Sequence, residues 1–207
     1  IDHWRHHGWV AADCLLSDAI RLAMPRWATD ASGKGLAGWN PLEESAVRQF
    51  LDSGIMLGAA GELLEHKAVL SRGHVRCTQW SAGQRPRRLA GGAVPNRRAV
   101  ACVIPLGAAG LRMEVAGEAR HQALAADAGG LLAAGVAPGL DWRPLEVATG
   151  EVLWMEPMVP MRIPRTSSAQ DGRESSVLLA AFSGRLSDTS RDLEDPMRGV
   201  SPDPVLA

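Results

Sequence analysis

Tyrosine is absent from this chain, phenylalanine occurs only twice, and lysine is nearly absent. Seven tryptophans therefore supply almost all of the aromatic surface. The dominance of Ala, Arg, Gly and Pro points to a GC-rich coding bias, as in high-GC bacteria. A basic excess is also missing. Net charge is -1 with 22% charged residues, spread along the chain without a long run of one sign. That excludes the phosphate-neutralising footprint of a nucleic-acid-binding protein. No apolar run reaches the roughly 18 residues of a membrane span, and no basic-apolar-small leader opens the sequence. The expectation is a soluble, cytoplasmic protein. Cys14, Cys77 and Cys102 are odd in number, far apart and without CxxC or CxxH spacing. Reduced, buried thiols are expected rather than a disulfide framework or a zinc site.

What is present reads as helices first and strands later. Residues 2 to 8 form a short helix broken at Gly8, and Trp9 to Leu15 a short strand. Ser17 caps a helix whose apolar face is Ile20, Ala23, Met24 and Trp27. Asn40-Pro41-Leu42-Glu43 starts another, with Leu42, Val47, Phe50 and Leu51 on its inner face. Ile55 to Leu64 is a third. The strands expected are Ala68–Leu70, Val75–Trp80, Ala99–Pro105, Leu111–Val115, Val152–Val159 and Ser176–Phe182, separated by Gly and Pro turns. Gly83 to Arg98 reads as a basic loop, and Ala123 to Leu140 as a surface insertion with one short helix. The pattern is α+β. A single domain over 1–187 is expected, helical over 1–66 and a barrel over 67–187. A flexible, proline-containing tail follows over 188–207.

The stretch Gly150-Glu-Val-Leu-Trp-Met-Glu-Pro-Met-Val-Pro-Met161, followed after a polar turn by Arg173-Glu-Ser-Ser-Val-Leu-Leu-Ala-Ala-Phe182, resembles the closing strands of the phytanoyl-CoA-dioxygenase-like enzymes. Those enzymes use iron and 2-oxoglutarate, with a pattern near Gly-Asp-Val-Leu-Leu-Met-Arg-Pro-Leu-Leu-Leu-His. Three other segments resemble the same family in the same order: Asp2-His-Trp-Arg-His-His-Gly8-Trp-Val with Leu15-Leu-Ser17, Val103-Ile-Pro-Leu106, and Val115-Ala-Gly-Glu-Ala-Arg-His121. The resemblance implies a mainly β protein: a double-stranded β-helix, or jelly roll, with N-terminal helices packed outside it.

It also implies a facial triad of two histidines and a carboxylate, and here the residues depart from the pattern. Met161 stands where the family has its distal histidine. None of His3, His6, His7, His66, His74 or His121 is followed two residues later by Asp or Glu. Over the expected region, one alignment places Arg88 and Ala90 at the remaining ligand positions. Another, keyed to Trp80, places Arg85 and Arg87 there. Cationic arginines repel a divalent ion, and a methionine thioether suits copper(I) better than iron(II). No metal and no cofactor is therefore expected. Iron(II) and 2-oxoglutarate enter only if the ligands are residues outside this pattern.

Each candidate site residue has two readings. Arg173, which resembles the family arginine that pairs with the far carboxylate of 2-oxoglutarate, is a carboxylate anchor or an exposed arginine at a strand start. Glu156 shares a strand face with Val152 and Trp154. It is an acid or base with a raised pKa if that face lines the barrel, and a solvated residue otherwise. His74 is a general acid or base near neutrality, or a hydrogen-bonded surface histidine. Trp80 and Trp154, with Met161, wall a pocket or pack in the core. Arg88, with Arg85 and Arg87, grips an anionic substrate group or sits in a solvated loop.

The favoured reading is a metal-free enzyme on an oxygenase scaffold. It would catalyse isomerisation, cyclisation or elimination of a small, largely apolar molecule in bacterial secondary metabolism, with catalytic residues drawn from Arg173, Glu156 and His74. Alternatives are a non-catalytic barrel that binds a ligand or partner protein, and an active iron dioxygenase. The partner expected is a small molecule, with no nucleic acid and no membrane; oligomerisation stays open.

Overall fold

The computed structural model describes residues 1–13, 20, 22–24, 26–27, 29, 40–89, 99–165 and 175–184. Arg173 and the 188–207 tail, both singled out above, lie outside these. Eight strands are present: β1 Trp9–Asp13, β2 Ala68–Trp80, β3 Ala99–Pro105, β4 Leu111–Val115, β5 Arg143–Val147, β6 Glu151–Met155, β7 Met161–Arg162 and β8 Ser175–Gly184. They form an antiparallel five-stranded sheet in the order β1-β6-β3-β8-β2 and an antiparallel three-stranded sheet in the order β5-β4-β7. The fold is a double-stranded β-helix with helices outside it, as expected from the sequence.

Strand alternation builds two cores from the larger sheet. On β3, Val100, Cys102 and Ile104 point one way while Ala101 and Val103 point the other; β6 divides Val152 and Trp154 from Leu153 and Met155 in the same manner. The first set packs against the helices, on Met24, Trp27, Phe50, Leu51 and Met56. The second faces the smaller sheet and meets Leu111, Met113, Val115, Val147 and Met161. Because both faces of the sheet are covered, all of β3 is buried. Each Val, Leu or Met buried this way contributes about 1.5–3 kcal/mol.

The helical part follows its caps. Gly8, at φ 72°, closes the helix Asp2–His7 in the left-handed conformation that glycine adopts without strain. Asn40 caps a 3-10 turn over Pro41–Glu43, its side chain accepting from the Leu42 amide. The helix Ser45–Leu51 follows and presents Val47, Phe50 and Leu51 to the core. Ser53 both ends that helix and caps the next, Gly54–Leu64, by accepting from the Met56 amide. No helix among the described residues is long and apolar enough to cross a membrane.

Three expectations are corrected. The strand expected over Val152–Val159 stops at Met155, because Glu156-Pro157 turns the chain back toward β7. β5 was not foreseen: Pro144 argues against a strand interior, and it is tolerated because β5 pairs on one side only. The segments 83–89 and 123–140 are not plain surface loops. Arg87 bridges Met161 and Leu131, extending the smaller sheet beyond β7, and Leu132 is fully buried.

Candidate functional site

The extension of the smaller sheet sets the site. The amide of Arg87 donates to the Met161 carbonyl at 2.9 Å and the amide of Met161 donates back at 2.8 Å. Residues that exchange both bonds stand directly opposite one another, with side chains on one face. Gly83 pairs with β7 again, its amide donating to the Ile163 carbonyl at 3.0 Å, with two extra residues looped out between it and Arg87. Arg85, Arg87 and Met161 line a cleft of about 250 Å³, part of it open to solvent, together with Trp80, Gln84, Met113, Arg162 and Ile163. The cleft as a whole has room for about one water.

The electrostatics are one-sided. Arg85 donates from Nε (3.2 Å) and Nη2 (2.6 Å) to the Leu132 carbonyl, a neutral partner that fixes the guanidinium and leaves its charge uncancelled. Arg162 pairs with Glu114 and lies over the Trp142 ring, 4.4 Å from its centroid, so its charge is compensated at the rim. Trp80 is 2% exposed, and its buried Nε1–H has no acceptor among the described residues. An indole donor left unmade in a buried setting costs about 1–3 kcal/mol.

This donor set does not fit a divalent cation. Two guanidinium groups and a thioether offer no anionic or imidazole ligand at the strand pair, and the indole is a donor only. Among the described residues no group of three His, Cys, Asp or Glu is placed to hold a metal ion.

Of the residues selected from sequence, the structure brings Trp80 and Met161 to the cleft. It takes Arg88, Trp154, Glu156 and His74 elsewhere. Arg88 is one residue out of phase with Arg87 and points away from the cleft. It is 3% exposed, and its Nη2 donates to the carbonyls of Ala119 (3.0 Å) and Gln122 (2.9 Å). Burial lowers its pKa below the ordinary arginine value. Trp154 lies in the helix-side core, 5.5 Å from the Phe182 ring, because β6 turns Leu153 and Met155 to the barrel interior instead.

Glu156 follows the end of β6. Its amide donates to the Gly8 carbonyl at 2.7 Å, and its carboxylate lies 3.4 Å from Nε of Arg120, an ion pair whose angle falls short of a hydrogen bond. Arg120 also donates to the carbonyls of Arg5 (2.7 Å), His6 (2.6 Å) and Gly117 (3.1 Å), tying the first helix to the barrel. His74 sits on β2 where the pairing with β8 is interrupted between Ser71 and Arg76, and is not among the residues lining the cleft.

The sequence offers Arg85 and Arg87 both at metal-ligand positions and, with Arg88, as a grip for an anionic substrate group; Arg162 carries no such signal. The signal that finds all three is the register of β7 against residues 83–87, which sequence spacing does not carry.

No protein-family model matches the chain, and a search of curated proteins finds no match. Solved structures do match. AviO1 from Streptomyces viridochromogenes Tue57 has a TM-score of 0.61 at 14% identity, over 91% of this chain and 95% of that one. SnoK, a non-heme α-ketoglutarate-dependent carbocyclase from nogalamycin biosynthesis, has a TM-score of 0.58 at 15% identity, over 88% of this chain and 82% of that one. The nogalamycin epimerase SnoN, solved with Fe3+ and α-ketoglutarate, has a TM-score of 0.62 at 12% identity, over 88% and 81%. The fold is thus that of the iron/2-oxoglutarate oxygenase-like proteins. At these identities the likeness establishes the scaffold, and chemistry has to be argued from the cleft.

Proposed function

We propose that this chain is an enzyme on the oxygenase scaffold that works without iron, catalysing isomerisation, cyclisation or elimination of a small, largely apolar molecule. One observation carries the reading. The inner-face strand pair presents Arg85, Arg87 and Met161, a set that repels a divalent ion and suits an anionic or polarisable substrate group. In this reading the arginines hold and polarise the substrate, while Trp80, Met113, Met161 and Ile163 position its apolar body and exclude water. The carbocyclase and epimerase among the similar structures support the reaction type, since their names describe ring closure and epimerisation on this barrel; both are α-ketoglutarate-dependent, so the iron-free part of the reading rests on the cleft residues alone. Their nogalamycin setting supports secondary metabolism, and the buried free thiols of Cys77 and Cys102 suit a reducing, cytoplasmic compartment.

A second reading, a non-catalytic binding barrel, is favoured by the interior itself. Leu153, Met155, Val103 and Val177 pack between the sheets and fill the barrel interior among the described residues.

Iron retention and 2-oxoglutarate turnover separate both readings from an active dioxygenase. The purified chain, loaded with Fe(II) and desalted, is expected to hold far less than one iron per chain and to show no 2-oxoglutarate-dependent oxygen uptake. Stoichiometric iron with 2-oxoglutarate turnover would restore the dioxygenase reading and remove the other two.

A further inference from the structure

We propose that His3 and His7 form a two-imidazole site for a divalent transition-metal ion, Cu(II) or Ni(II) in preference to Mg(II), on the first helix. Neither residue lines the cleft, so the site stands independently of the function proposed for it.

The two histidines are four positions apart on the helix Asp2–His7, so their side chains leave it on one face. Their ring centres are 4.5 Å apart. A metal bonded to an imidazole nitrogen at about 2.0–2.1 Å lies about 3.2 Å from the ring centre, so two imidazoles at about 90–110° on one ion have centres about 4.5–5.2 Å apart. The pair therefore stands at chelating distance before any ion arrives.

Both rings are accessible. His3 is exposed, and His7 is part-exposed with neither ring nitrogen sealed from solvent. Neither side chain has a hydrogen-bond partner among the described residues. His6 differs, because its Nδ1 meets the Asp2 carbonyl at 2.8 Å and it lies about 100° round the helix from His7. The backbone that carries the pair is already fixed. Arg120 donates to the carbonyls of Arg5 (2.7 Å) and His6 (2.6 Å), and Trp4 is buried in the core. Trp9 packs edge-on against His3, 4.3 Å between centroids. Little ordering is left for an ion to impose. Arg143, which faces His3 from β5, is opposed by Glu118 at 3.0 Å and Asp141 at 3.4 Å.

Ligand chemistry selects the ion. Imidazole suits copper, nickel and zinc, whereas Mg(II) demands oxygen ligands. Two imidazoles leave the other positions to water, since no third His, Cys, Asp or Glu is placed to complete a set among the described residues. Affinity should fall from Cu(II) to Ni(II) and be far lower for Fe(II). Once bound, the ion links the first turn of the helix to its last residue and favours the folded state.

The test is isothermal titration calorimetry of chelator-stripped, desalted chain, free of any polyhistidine tag, with Ni(II), Cu(II) and Mg(II). One Ni(II) per chain is expected, with a rise in Tm on saturation and no binding of Mg(II). His3→Gln and His7→Gln should each weaken Ni(II) about tenfold or more, at least the loss that an outer-shell change causes. His66→Gln, an exposed histidine on another helix end, should leave it unchanged. Circular dichroism checks that each variant is folded, and should one fail to fold, the other carries the comparison. The proposal is overturned if neither Ni(II) nor Cu(II) binds, or if Mg(II) binds as tightly. Unchanged Ni(II) affinity in His7→Gln also overturns it, since His3 would then act without its partner. Iron held by a double variant, His3→Gln with His7→Gln, would count against the metal-free reading of the cleft and not against this pair, so the two can fail separately.

Discussion

Two groups of arginines stand out among the described residues, and their surroundings differ. Around Arg120, 9% exposed, the guanidinium meets three backbone carbonyls and the Glu156 carboxylate. The charge is enclosed, compensated, and used to pin the helix Asp2–His7 to the turn Gly117–His121. Around the cleft, Arg85 is exposed and bonded to one neutral carbonyl. Burying a charge is costly unless it is paired, so complete pairing marks a structural arginine. An exposed arginine needs no such partner, because water solvates its charge.

Breaking the enclosed cluster should produce the largest effect. Arg120→Ala strips one carboxylate and three carbonyls of their partner at once. A loss of about 3 kcal/mol or more is expected, which for a domain of this size is roughly 6–12 °C in Tm. Circular dichroism on heating measures it. A change within about 2 °C would mean that the cluster is not a clamp.

Glu156→Gln is milder. The amide still offers an acceptor to Arg120 and the site is part-exposed, so about 0.5–1.5 kcal/mol is expected. Any turnover should be unchanged. If activity disappears while Tm holds, Glu156 is an acid or base after all and the contrast between the clusters collapses.

The smallest effect concerns the helix that Arg120 pins. The ring of His3 packs on His7 and Trp9, at 4.5 and 4.3 Å between centroids. Its pKa is lowered, first by partial burial and then by the positive charges of His7, the N-terminus, Arg143 and His6. The folded state thus takes up this proton less readily than the unfolded chain. The associated stability is complete above the unfolded value of about 6.5 and falls as pH drops through the lower folded value. Wild-type Tm should fall slightly between pH 7.5 and 5.5, with the His3 share under about 2 °C. His3→Gln should lose that share. A pH dependence identical in the two proteins would exclude His3 as its source.

Much of the fold was legible because its signals are local. Gly8, Asn40-Pro41 and Ser53 act through bonds to residues within four positions, and the apolar face of Met24 and Trp27 follows from helical spacing alone. Most of the strands, though not β5 and β7, were readable for the same reason. Their faces were less so. β6 is buried on both sides, so its alternation carries no polar marker to say which residues look into the barrel, and Trp154 was assigned to the wrong side. The pairing of Arg120 with Glu156, 36 positions apart in sequence, had no local signature at all.

By itself the sequence determined most of the strands, the helix break at Gly8, the helix start at Asn40 and the departure of Met161, Arg85 and Arg87 from the metal-binding pattern of the family it resembles, because residue identity settles these; β5, β7 and the order of strands within each sheet came only from the tertiary structure. Only the tertiary structure decided which arginine is enclosed and which stays exposed. The exchange of hydrogen bonds between Arg87 and Met161 fixes the register, and a slip of one residue would have sent Arg88 into the cleft and Arg87 out of it.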